Sequence, residues 1–254
     1  MRVRVLGGSG GLTPGHLLTS FQINGDILID AGSVAQALSI EAQAEIGHIF
    51  LTHAHLDHSG TLPFFVDNIF GMREVPFVVY SIPESIRVIR ENLFNNQLWP
   101  DFSVIPDFKR AAMRFTEIGD EVPVKIDRVT VTSVRVHHTV PAVGYLLEDP
   151  TSAILFTGDT AQTHRLWEVA RLVSNLKGAF VECSFPNELQ HIADVSGHLS
   201  PQTLALEVAK LGRDIPVFVY HIKPRFHDQV VAQVRALGNK NIHVAEQGAE
   251  YDFS

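Results

Sequence analysis

The chain has 254 residues with 45% hydrophobic and 19% charged content, enough apolar side chains to bury a sizeable core and too few charges for disorder. A formal net charge of −8 without a Lys/Arg-rich run argues against a long nucleic acid as partner, because phosphate backbones are gripped by basic patches. A single cysteine, Cys183, excludes an intramolecular disulfide and points to an intracellular, cytoplasmic setting, and no apolar run reaches the ~18–20 residues of a membrane helix, so no membrane partner is expected.

Residues 3–6 alternate as a strand does, the glycine-rich run 7–11 forces a loop, and 21–23 with 26–29 read as a hairpin about Asn24-Gly25. Residues 33–44 are helix-compatible, 46–51 form a buried strand, and 56–70 have the spacing of a helix packed on a sheet. Strand signals return at 75–81, 128–136, 144–147, 153–157, 179–182 and 216–220, while helical periodicity fills 163–176, 201–211 and 227–237. This mix predicts an α/β protein with two layers of strand covered by helices, and no repeat or boundary interrupts a single domain over 1–254.

Residues 85–115 stand apart. A helical start runs into Asn92, Phe94, Asn95, Asn96, Trp99, Pro100, Phe102, Ile105 and Phe108 at no clear period. Such an insertion serves as a lid or a dimerisation surface, or packs as an edge against the core, and a homodimer built on it is one expectation.

The densest signal is His53-Ala54-His55-Leu56-Asp57-His58, directly after the strand that ends in Thr52. Alternate positions on extended chain project to one side, so His53 and His55 can grip one cation together, while Asp57 and His58 fall where a helix begins and can turn toward a second. With thirteen histidines beside one cysteine, any metal site is built from nitrogen and oxygen, a donor set that suits Zn²⁺, Mn²⁺ or Fe²⁺.

Four side chains in one loop cannot fill two coordination spheres, so further ligands must come from distant strand ends. His138 follows the strand 129–136, Asp159 lies in Phe156-Thr157-Gly158-Asp159-Thr160, and His221 ends Val217-Phe218-Val219-Tyr220. Asp30, at the end of Ile27-Leu28-Ile29, is placed to accept an imidazole N–H and fix a ligand's tautomer, and Thr160 is expected to buttress Asp159. The glycine run 7–11 lacks the lysine of a P-loop and reads as a tight turn beside the metals.

These motifs together resemble the metallo-β-lactamase fold superfamily of hydrolases, from the glycine run to Lys223. The resemblance implies an αββα sandwich, one metal held by His53, His55, His138 and Asp159, and a second held by Asp57, His58, His221 and a bridging Asp159. His138 rather than His137 is chosen because His138-Thr139-Val140-Pro141-Ala142-Val143-Gly144-Tyr145 is similar to a stretch of the phosphodiesterase branch. Val181 to Asn187, Ser196-Gly197-His198-Leu199-Ser200-Pro201 and Tyr220-His221-Ile222-Lys223-Pro224 resemble the class II cyclic-nucleotide phosphodiesterases.

The resemblance implies a small-molecule substrate, a 3′,5′-cyclic nucleotide, opened to the 5′-monophosphate by hydroxide shared between two divalent ions, zinc being the first expectation. Asp57 would orient the nucleophile, and His198 would hydrogen-bond the phosphate or protonate the departing oxygen. Lys223 would act as a point charge on the phosphate, with Ser184 and Asn187 as further substrate contacts. The alternatives are a tRNA 3′-end endonuclease, whose long Gly/Pro-rich arm this sequence lacks, and a metal-containing nucleotide sensor without turnover.

Overall fold

The computed structural model describes residues 1–107 and 110–254; Phe108, among the aromatics of the 85–115 segment, lies outside the described residues. The first half comprises β1 (Arg2–Gly7), β2 (Ser20–Ile23), β3 (Ile27–Ile29), α1 (Val34–Ala37), α2 (Ile40–Ala44), β4 (His48–Phe50), α3 (Leu56–Ser59), α4 (Leu62–Asn68), β5 (Phe77–Ser81), α5 (Pro83–Asn92) and β6 (Met113–Glu117). The second comprises β7 (Val124–Ile126), β8 (Val129–Val136), β9 (Ala142–Glu148), β10 (Ala153–Phe156), α6 (Arg165–Leu172), β11 (Leu176–Glu182), α7 (Gln190–Ser196), α8 (Pro201–Leu211), β12 (Val217–Tyr220), α9 (His227–Ala236), β13 (Ile242–Val244) and β14 (Glu250–Asp252).

The strands form two mixed sheets, ordered β14-β1-β2-β3-β4-β5-β6 and β13-β12-β11-β10-β9-β8-β7. Each is antiparallel through one half and parallel through the other: β3 to β6 run parallel in the first, and β10 to β13 in the second. Phe21, Phe50, Tyr145, Phe156, Phe180 and Phe218 fill the space between the sheets. A second apolar cluster packs Val34, Leu62, Phe65 and Ile86 on the outer side of the first sheet, and a third packs Leu166, Trp167, Leu204 and Val230 on the outer side of the second. The result is the expected four-layer αββα sandwich, its two sheets back to back on the aromatic core.

Tertiary bonds break two expected helices. In 33–44, the Ser39 hydroxyl accepts from Ala42 N–H to start α2 afresh, and Gln43 Nε2 donates to the carbonyl of Leu38. In 56–70, both the N–H and hydroxyl of Thr61 donate to the carbonyl of Ala31, pulling the chain out of the α3 ladder at Gly60. The hairpin about Asn24-Gly25 is present, with both residues in the left-handed region at φ 52° and 101°.

The 85–115 segment opens with α5 and closes with β6, which adds to the first sheet beside β5. Phe94 and Phe102 are buried in the cluster under that sheet, and Trp99 packs on Phe64. Among the described residues, no helix is long and apolar enough to cross a membrane.

The parallel strands all deliver their C-terminal ends to one rim. Asp30 follows β3, Thr52 and the histidine-rich loop follow β4, Asp159 follows β10, Glu182 closes β11 and His221 follows β12. This is where α/β sheets place functional groups, because the loops there converge while the strands fix their origins.

Candidate metal centre

Two groups of side chains meet at this rim, and a third, His138, Asp159 and His198, shares a member with each. The ligand atoms of His53, His55 and His138 all lie within 4.8 Å of one another, as do those of Asp57, His58, Asp159 and His221. Asp159 stands between the groups: its Oδ2 is 3.1 Å from both His58 Nε2 and His221 Nε2, and 3.9 Å from His53 Nε2. His53, His58, Asp159 and His221 are fully or almost fully buried.

The hydrogen-bond network sets each tautomer. His58 Nδ1 bonds Asp30 Oδ2 at 2.7 Å, leaving Nε2 for the centre. His53 Nδ1 is 3.0 Å from Thr52 Oγ1, whose hydroxyl donates to the Asp30 carboxylate. His138 Nδ1 donates to the carbonyl of Gly197 at 2.9 Å, and its Nε2 lies 3.3 Å from His55 Nδ1. Thr19 Oγ1 holds His221 Nδ1 at 2.9 Å. A single carboxylate, Asp30, thus steadies the first and last histidines of the 53–58 run, one directly and one through Thr52.

Backbone strain accompanies this positioning. Asp30 and His221, neither a glycine, sit at φ 61° and 64°, a conformation that persists only where surrounding contacts over-determine it. Gly10 makes room for the second: a Cβ there would stand 2.8 Å from the carbonyl oxygen of His221 and 2.9 Å from its Nε2. The glycine run is therefore a close-approach loop against a candidate ligand.

The donors fit a divalent cation. His53 Nε2, Asp159 Oδ1 and His221 Nε2 are buried without any hydrogen-bond partner, and burying such an atom unpaired costs ~1–3 kcal/mol. Imidazole nitrogens and carboxylate oxygens converging at ligand spacing are the chemistry that a borderline divalent ion satisfies. Burial, reinforced by the neighbouring His58, holds His53 well below the ordinary histidine range, and burial takes His138 down to about 4, so both imidazoles are neutral as ligands must be. For His58, burial pulls downward but Asp159 and Asp30 on either side win, and its pKa rises.

Beside this centre lies a pair that reading the sequence left incomplete. His198 Nδ1 bonds Glu182 Oε1 at 2.9 Å and lies 4.0 Å from Asp159 Oδ2. Burial disfavours the imidazolium, but the Glu182 carboxylate outweighs it and raises the His198 pKa. Glu182 Oε1 also accepts the backbone N–H of Thr160, tying the loop of Asp159 to the end of β11. Thr160 does not buttress Asp159 with its hydroxyl: Oγ1 donates to the carbonyl of Ala161 and accepts from the N–H of His137. A carboxylate closing an apolar strand, Val181-Glu182, was the signal for Glu182.

Lys223 Nζ lies 3.7 Å from Asp57 Oδ2 and donates to the carbonyl of Gly10 at 2.7 Å. Ser184 is buried, its hydroxyl donating to Glu182 Oε2 and the carbonyl of His221. Asn187 Oδ1 accepts from the N–H of Gln202. His137 is exposed and takes no part in the clusters.

Residues 26–222 match the family described as the beta-lactamase superfamily domain. The chain is similar to a probable 3′,5′-cyclic-nucleotide phosphodiesterase of Yersinia pestis, 27% identical over 279 residues, covering 88% of this chain and 78% of that protein. It is also similar to 3′,5′-cyclic-nucleotide phosphodiesterase 1 of Saccharomyces cerevisiae, 25% identical with 91% and 73% of the two chains covered. Among solved structures, unliganded yeast PDE1 superposes with a TM-score of 0.81 at 20% identity over 98% of each chain. The short form of human tRNase Z superposes at 0.73 and 16% identity over the whole of both chains; these two likenesses are of fold. By its matched domain and its clustered donors, this chain belongs to the beta-lactamase superfamily, as a hydrolase equipped to bind divalent metal.

Proposed function

We propose that the whole chain, 1–254, acts as one binuclear metal-dependent phosphodiesterase that opens 3′,5′-cyclic nucleotides to 5′-monophosphates. The observation that carries the reading is Asp159 Oδ2 between the two donor groups, with His53, Asp159 and His221 each offering a buried, unpartnered atom. The curated relatives named as cyclic-nucleotide phosphodiesterases, aligned over most of this chain, support that substrate class.

His53, His55, His138 and Asp159 would hold one ion, and Asp57, His58, His221 and Asp159 the other, zinc being favoured by the nitrogen-rich donor set. Bound there, two divalent ions lower the pKa of water and neutralise charge on a phosphoryl group. Asp57, its side chain 24% exposed at the edge of the centre, accepts a hydrogen bond from the attacking water and aligns it with phosphorus. As the water oxygen bonds to phosphorus it gives a proton to the Asp57 carboxylate, the bond to the 3′-oxygen breaks, and His198 supplies from Nε2 the proton that this oxygen requires; release of the Asp57 proton to solvent and uptake of one by His198 restore both groups. Glu182 on Nδ1 favours the charged form of that imidazole and aims it. Lys223, part-exposed beside Asp57, brings positive charge toward the phosphate. Ser184 and Asn187 spend hydrogen bonds inside the protein and support the His198 and His221 loops.

Incubating metal-loaded protein with cyclic AMP, cyclic GMP and a precursor tRNA side by side tests this reading. Turnover of a cyclic nucleotide that His55→Ala abolishes is expected. Cleavage of the tRNA alone would replace it with the endonuclease reading, and tight nucleotide binding without product would make the protein a sensor.

A further inference from the structure

A small cavity of about 180 Å³ opens beside the centre, walled by Ala54, His55, Ser85, Val88, Val140 and Pro141. His55 is the shared wall, since its Nδ1 lies 3.3 Å from His138 Nε2 within the first donor group. Val140 and Pro141 follow His138 by two and three residues, so the loop that delivers a ligand histidine also builds the far side of the cavity. Ala54 precedes His55 in the same loop, and Ser85 and Val88 come from the first turns of α5.

Its chemistry is that of a seat for a flat, uncharged ring. Of the eight residues that line it, Ala54, Val88, Val140 and Pro141 are apolar, and Glu84 and Arg87 carry opposite charges. The volume falls below the ~300–1,000 Å³ of sites for drug-sized ligands, and so suits one ring system rather than a peptide or an oligonucleotide. The two charged lining residues, Glu84 and Arg87, are of opposite sign and lie one turn apart on α5, and Glu84 is bonded by Arg135 at 2.8 and 3.1 Å. One polar group has no internal function. Ser85 is 2% exposed and its Oγ has no hydrogen-bond partner, an expensive arrangement unless a ligand supplies one. A larger cavity of about 610 Å³, around His16, Val231 and His243, is lined by none of the side chains of the metal centre.

We infer that this cavity holds the nucleobase of the substrate, with Val88 and Val140 against its faces and Ser85 Oγ bonding a ring nitrogen or carbonyl, while the phosphate lies at the metal centre. The inference rests on the cyclic-nucleotide reading above and deepens it: the base, and not only the cyclic phosphate, is recognised.

The test compares cyclic AMP with the same 3′,5′-cyclic ribose phosphate carrying hydrogen in place of the base, and measures by calorimetry the binding of 5′-AMP against ribose 5-phosphate. For the unaltered protein, kcat/KM and affinity should favour the base-bearing ligand on the order of 10- to 100-fold. V88W, which fills the cavity from a position already 40% exposed, should collapse both ratios to within about threefold, mainly through KM, and S85A should lower them about two- to tenfold. Ratios that V88W and S85A leave unchanged, or base-bearing and base-free ligands handled alike by the unaltered protein, overturn the inference while cyclic-phosphate hydrolysis still stands. Base-dependent binding that V88W abolishes in a protein turning over no cyclic nucleotide would uphold the base seat and overturn the phosphodiesterase reading instead.

Discussion

Glu182 and His198, sixteen residues apart, meet at 2.9 Å with both side chains buried, next to a carboxylate that stands between two groups of metal-type ligands. A buried acid is stable there only because it is paired, to His198 and to the N–H of Thr160. Glu182→Gln keeps the shape and removes the charge. It should lower kcat about 10- to 100-fold, the range seen when an imidazole loses the group that orients it, with little change in KM. Metal content by elemental analysis should stay level; a parallel loss of metal would mean that Glu182 serves the centre and not His198.

Asp159 Oδ2 lies between the two donor groups, 3.1 Å from His58 and His221 and 3.9 Å from His53. Asp159→Asn should reduce bound metal and abolish turnover, whereas His55→Ala should weaken only the group of His53 and His138. Chelation of the unaltered protein should lower its melting temperature, since an ion that binds only the folded state stabilises it by mass action, and re-addition of Zn²⁺ or Mn²⁺ should restore both melting temperature and activity. A melting curve indifferent to chelator would contradict an assembled centre.

Gly10→Ala puts a methyl group 2.8 Å from the carbonyl of His221. The loop or the histidine must give way, so the expected outcome is weaker metal binding at the group of Asp57, His58 and His221, with a native circular-dichroism spectrum. Metal stoichiometry by titration checks it; full occupancy at unaltered affinity would show that the loop yields freely.

Away from the rim, Glu207 is fully buried, with Oε2 accepting Trp167 Nε1 at 2.7 Å and the N–H of Thr163 at 3.1 Å, and Lys210 Nζ at Oε1. Glu207→Ala strands two donors and an ammonium against the second sheet, and should destabilise the fold by about 2–4 kcal/mol in urea unfolding. Activity per folded molecule should be preserved. An effect below ~0.5 kcal/mol would mean that water replaces the carboxylate.

Asp149 gives a pH signature. Burial pushes its carboxyl up, but the N–H groups of Thr151 and Ser152, each at 2.8 Å, more than offset this and hold it near pKa about 2 against an ordinary 3.8. A depressed folded pKa means that its contribution to stability is complete above about pH 4 and fades as pH falls through about 2. Asp149→Asn should therefore be less stable than the unaltered chain at pH 7, with the gap closing under acid; a gap independent of pH would contradict the assignment.

The local part of the site was legible because six consecutive residues carry four donors; strand-end Asp159 and His221 follow apolar runs that stop at a polar side chain, whereas His138 was separated from its neighbour His137 only by the resemblance of 138–145 to the phosphodiesterase branch. Glu182 lies within the stretch Val181 to Asn187, but no local pattern pairs it with a histidine sixteen positions on; only the meeting of the end of β11 with the loop after α7, where the N–H of Ser184 donates to the carbonyl of Leu199, does so. The broken helices at Ser39 and Thr61 follow from hydrogen bonds to distant carbonyls and capping hydroxyls, which periodicity does not register. Strands β6, β7, β13 and β14, the four edges of the two sheets, carry no clear sequence signal because edge strands are short and mixed in polarity. The aperiodic aromatics of 85–115 include Phe94 and Phe102 buried in irregular chain, where neither the helical nor the strand period applies.

The most direct measurement is product analysis by phosphorus NMR on metal-analysed protein given cyclic AMP and cyclic GMP in ¹⁸O-labelled water. The expected result is the 5′-monophosphate with a single ¹⁸O on phosphorus, at a rate that His55→Ala and Asp159→Asn abolish. A 3′-monophosphate, or no product from metal-replete protein, would contradict the account.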